Sequence, residues 1–105
     1  MQIRQGDLLF EKVEHKPNGV FKKAKDNIIE YGEGTGHAHV LATPESAELM
    51  TPINTALVEY INVLQPSVIS HDTHKSVTLS TGKWVVTRQV SLQLHDRRTV
   101  RYVDD

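Results

Sequence analysis

The apolar residues of this chain come in short bursts, often alternating with polar ones, and glycine, proline or asparagine cuts each burst off within a few residues. Only residues 45–51 carry a modest helical pattern. A chain punctuated in this way has no room for long helices, and its period of two predicts half-buried strands. Strands are expected at residues 8–13, 20–22, 27–31, 37–42 and 56–64, then at 68–70 and 77–79 on either side of a polar break, at 83–91, and at 100–103 as a closing strand. Residues 47–50, bracketed by Pro44 and Pro52, read as a helical turn or a short strand. Lys16-Pro17-Asn18-Gly19 and Thr81-Gly82 supply turn chemistry. The expected fold is all-β, a small antiparallel β-barrel or sandwich with little helix, forming one barrel domain over residues 1–105.

Composition enters where it excludes functions. The chain has 105 residues, no cysteine and a net charge of −1. Length fits one domain. The missing cysteines remove disulfides, thiolate metal sites and thiol nucleophiles, and suit a reducing cytosol. Near-neutral charge gives no general attraction to duplex nucleic acid or an acidic membrane. The first fifteen residues lack a basic segment leading into an apolar run, and no apolar run approaches the ~18 residues that span a bilayer. A cytoplasmic protein without membrane contact is therefore expected.

The chemistry is concentrated in histidine. Of six histidines, four fall in two close pairs, His37/His39 and His71/His74. A spacing of two on a strand sends His37 and His39 from one face. The break at residues 71–74 can turn both of its rings the same way. His15 and His95 stand alone at strand ends. Two same-face imidazoles plus one or two from a neighbour suit zinc or another divalent transition metal. That arrangement is similar to a cupin centre, but Thr43 and Pro44 occupy the places where a cupin has its glutamate. Histidine pairs also suit metal-free acid–base chemistry, because an unperturbed pKa near 6.5 lets one ring accept a proton while another donates. Cleavage of an RNA-type phosphodiester needs that pair together with cations for the phosphorane. Lys12 and Arg88 interrupt apolar strand faces and are candidates for charge stabilisation, and the glycines at 32, 34 and 36 offer backbone N–H groups, with Gly34 and Gly36 as candidate phosphate contacts. Lys22, Lys23 and Lys25 form a basic patch, as do Arg97, Arg98 and Arg101; each reads as a solvated surface, with the rim of an anionic-ligand pocket as the alternative. In a plainer reading the histidines satisfy loop hydrogen bonds, the glycines make a turn, and the chain is a non-catalytic nucleotide-binding module. Ser80-Thr81-Gly82-Lys83 does not match a Walker A loop, and no serine-hydrolase pattern is present.

Gln5-Gly6-Asp7, the stretch Gly32-Glu33-Gly34-Thr35-Gly36-His37-Ala38-His39, the pair His71 and His74, Gly82 leading to Arg88-Gln89, and Arg98, Val100, Val103 and Asp104 recur in this order in a family of short bacterial and phage proteins, which the chain resembles over nearly its whole length. It also resembles small ring nucleases, which degrade the cyclic oligonucleotide messengers of prokaryotic antiviral defence, CRISPR systems included. That second resemblance implies a metal-independent phosphodiesterase acting as a homodimer, without a cofactor, with a cyclic oligonucleotide as ligand and His37, His39, His71 and His74 as catalytic residues. Relatives carry an acid-rich spacer inside the second pair and a charged run after Arg-Gln. This chain has Asp72-Thr73 and Val90-Ser91-Leu92 there, which bears on substrate or rate.

Overall fold

Short strands need many partners to bury their apolar sides, and here they find them in two antiparallel sheets. The computed structural model describes residues 1–31 and 37–88. In chain order the strands are β1 (Gln2–Gln5), β2 (Leu8–Val13), β3 (Phe21–Lys23), β4 (Ile28–Glu30), β5 (His39–Leu41), β6 (Ala47–Pro52), β7 (Tyr60–Val63), β8 (Ser67–Ser70), β9 (Val77–Leu79) and β10 (Gly82–Arg88), with a single 3₁₀ turn at Pro44–Ser46. One sheet runs β1-β2-β10-β7-β6-β3 and the other β4-β5-β8-β9. Leu8, Phe10, Leu49, Ile61 and Trp84 of the first sheet share one core with Ile29, Leu41, Ile69 and Leu79 of the second. The fold is therefore a sandwich, and the closed barrel is corrected: the two sheets touch at β1 and β9 without a continuous ladder.

Several elements differ from the sequence reading for local reasons. β1 was not expected, because Ile3 is its only apolar residue; its register with β2, from Gln2↔Glu11 to Gln5↔Leu8, comes from pairing rather than pattern. Residues 47–52 form a strand with strict inward alternation at Ala47, Leu49 and Thr51, and the helical signal shrinks to the proline-led turn before it. The expected strand over 56–64 is paired only from Tyr60 to Val63. The expected strand at 100–103, the candidates Gly34 and Gly36, His95 and the arginines at 97, 98 and 101 lie outside the described residues. Among the described residues no helix is long and apolar enough to cross a membrane.

Candidate functional site

A cleft of about 1120 Å³ is lined by residues of both sheets. All four paired histidines line it. His39 comes from β5, His37 from the segment before it, and His71 and His74 from the break between β8 and β9. Ring centroids lie 4.5 Å apart for His39 and His71, 4.6 Å for His71 and His74, and 5.9 Å for His37 and His71. The two pairs, well separated in sequence, thus form one cluster.

Hydrogen bonds fix which nitrogen carries the proton on three of these rings. Gln5, buried at the end of β1, donates its amide N–H groups to the carbonyls of Ile69 (3.0 Å) and Lys75 (2.8 Å). Its Oε1 therefore faces His39 Nδ1, 2.8 Å away, and can only accept. His39 carries its hydrogen on Nδ1, and Nε2 is left with a lone pair. Burial, reinforced by the neighbouring His71, lowers the His39 pKa to about 4, so the ring is neutral at neutral pH. Asp7 Oδ1 lies 3.5 Å from that same Nε2. Two acceptors converging there favour a ligand hydroxyl or N–H placed between them.

His71 has the opposite arrangement. Its Nδ1 accepts the backbone N–H groups of Thr73 (3.1 Å) and His74 (3.2 Å), so a neutral ring carries its hydrogen on Nε2. His37 Nδ1 meets Asp72 Oδ2 at 2.5 Å. The His37 hydrogen bond is the main cause holding the Asp72 carboxyl below its ordinary range; the carboxylate is ionised and only accepts, so His37 donates through Nδ1. Gly6 lets this cluster close. It has φ +58°, and a Cβ on it would meet His74 Nε2 at 2.8 Å and His39 Cε1 at 3.4 Å.

A histidine that binds metal through Nε2 normally donates from Nδ1 to an outer partner; His37 does so to Asp72 and His39 to Gln5, whereas His71 Nδ1 accepts instead. Among the described residues no three histidine or carboxylate side chains are grouped so as to hold a metal ion.

The expected cations separate. Arg88 lines the cleft, but its guanidinium is committed: Nε to Glu30, Nη1 to the Val58 carbonyl (2.9 Å) and Nη2 to the Ile29 carbonyl (3.3 Å). It ties β10 to β4 across the two sheets. Lys12 does not line the cleft. Its Nζ donates to Ser80 Oγ at 3.0 Å and lies 5.9 Å from the Trp84 ring, and its stem crosses Gly82. Lys22, Lys23 and Lys25 line the cleft instead. Sequence reasoning assigned no role to Gln5, Asp7 or Asp72. The signals available were the Gln-Gly-Asp triplet and an acid inside the second histidine pair.

The family model described as a domain of unknown function (DUF8820) matches residues 4–89, which takes in the whole described site. No curated protein and no solved structure matches the chain.

Proposed function

The chain belongs to the family described as a domain of unknown function (DUF8820), and from that premise we propose a metal-independent phosphodiesterase that opens cyclic oligonucleotide messengers of prokaryotic antiviral defence. The observation that carries this reading is the pair of opposite tautomers at touching rings: a lone pair on His39 Nε2 and a hydrogen on His71 Nε2. Transfer within an RNA-type phosphodiester needs that complementarity. His39 Nε2, with Asp7 beside it, takes the proton of a ribose 2′-hydroxyl. The 2′-oxygen attacks phosphorus, and the bond from phosphorus to the 5′-oxygen breaks. The leaving oxygen takes a proton from the imidazolium form of His37, whose Nδ1–H stays anchored on Asp72. His71 Nε2–H donates to the charge that develops on the phosphorane. Lys22 and Lys25 at the cleft give an anionic ligand its electrostatic partners. The products are a 2′,3′-cyclic phosphate and a 5′-hydroxyl. A two-fold homodimer presents two such sites to a symmetric ring.

The test is incubation with cyclic oligoadenylates in excess EDTA. Linear product is expected, falling by roughly 10²-fold or more in His39→Ala and His37→Ala, the range general acid–base groups supply. Absence of product from the wild-type protein overturns the proposal. Product formed only on adding a divalent metal moves the reading to a metal centre. Ligand bound tightly and recovered intact moves it to a binding module.

A further inference from the structure

The cleft also has an apolar lining. Ala24, Ile29, Leu57 and Val58 contribute to it, and Lys22 and Lys25 line the same cleft. Leu57 leaves 46% of its surface exposed there, although it sits in a segment the sequence marks as apolar. Into this largely apolar region comes a hydroxyl. Thr51 lies on the inner face of β6, paired with Lys22 of β3, and is 3% exposed. Its side chain has no hydrogen-bond partner among the described residues. A buried hydroxyl without a partner is costly, and natural interiors rarely leave one. The buried hydroxyls of Ser46 and Ser67 elsewhere in the fold illustrate the rule, since they bond to each other and to backbone carbonyls.

We infer that this part of the cleft is a nucleobase subsite, in which apolar side chains flank the ring and the Thr51 hydroxyl bonds its polar edge. The chemistry on the page selects that class. A bare phosphate or a sugar gains little from the exposed Leu57 and half-buried Ala24, whereas a flat heterocycle buries its faces against them, with the core residues Ile29 and Val58 as the floor. A base edge presents donors and acceptors side by side, and a threonine hydroxyl can both give and accept a bond. Lysines next to such a slot suit the phosphate joined to the base. The inference rests on the nucleotide reading above and deepens it: the histidine cluster acts on a phosphodiester while the Thr51 region of the same cleft holds a base.

The experiment is a binding titration of the full chain with two probes, 5′-AMP and ribose 5-phosphate, which differ by the base alone. Wild-type protein should bind 5′-AMP more tightly. Thr51→Val, which keeps the shape and deletes the hydroxyl, should weaken 5′-AMP about tenfold, near the upper end for one neutral hydrogen bond, and leave ribose 5-phosphate unchanged. Thr51→Ser should restore most of the loss. Equal affinity of wild type for the two probes, or an unchanged 5′-AMP affinity in Thr51→Val, overturns the subsite, and so does parallel loss of both probes. Because neither probe is cleaved, the result stands apart from the nuclease assay. Base-dependent binding without ring opening overturns the nuclease reading alone, and ring opening with an indifferent Thr51→Val overturns the subsite alone.

Discussion

At the residue scale the site depends on where single atoms stop. Although the expected strand 37–42 is paired only over His39–Leu41 and His37 precedes it, the two histidine pairs were legible from spacing and from their glycine and polar surroundings. The residues that set their proton positions were not. Gln5 acts through Ile69 and Lys75, far along the chain, and nothing near Gln5 in the sequence announces those partners. Gly6 is the clearest case. Its left-handed φ of +58° would strain any side chain, by about 1 kcal/mol, and a methyl there would collide with His74. Gly6→Ala should therefore destabilise the protein by about 1–2 kcal/mol and reduce ring opening at least tenfold as His74 moves. The collision can be separated from the backbone strain by adding His74→Ala, which removes the ring the methyl meets. Urea unfolding of the two single variants and the double should then show a coupling of about 1 kcal/mol. Strict additivity would mean that Gly6 serves the turn and not the cluster.

At the element scale, alternation found most strands but not their lengths or edges. Ala56-Leu57-Val58 reads as strand by composition, yet these residues line the cleft, and only Tyr60–Val63 pairs. The same limit explains the two cations. Lys12 and Arg88 both follow apolar partners at a spacing of two, which predicts an inward side chain. At the end of β2 the long lysine stem escapes to Ser80 and Trp84, whereas Arg88 stays and is held by Glu30 and two carbonyls. That clamp joins the sheets at the cleft. Arg88→Met leaves a mostly buried carboxylate and two carbonyls without their donors, so unfolding free energy should drop by about 2 kcal/mol. Adding Glu30→Leu should recover part of the loss, since the uncompensated charge goes with it. A urea midpoint unchanged in Arg88→Met would show that the clamp contributes little and that Arg88 is available to a ligand after all.

At the scale of the whole molecule, a sandwich that buries His39 must respond to acid through that ring. In the unfolded chain His39 titrates near 6.5, and in the folded protein near 4. Between those values the unfolded state binds the extra proton, so stability falls as pH drops from 6.5 toward 4 and is flat with respect to this group above and below. The span of the shift makes the full loss about 3 kcal/mol. The carboxylates respond elsewhere. Asp72, Asp26 and Glu48 have depressed pKa values, through hydrogen bonds from His37, Tyr31 and Asn62 respectively. Their stabilising contribution is complete above the ordinary carboxylate range and is lost only as pH falls through it. The interval from 6.5 down to about 4.5 therefore isolates imidazole. Denaturant unfolding at a series of pH values should give a slope across that interval that is shallower in His39→Gln, with the variants converging at low pH relative to their separation at pH 7. A slope identical in wild type and variant would mean that His39 takes up its proton in the folded state as readily as in the unfolded one. The neutral lone pair on which the proposed chemistry depends would then be absent at working pH.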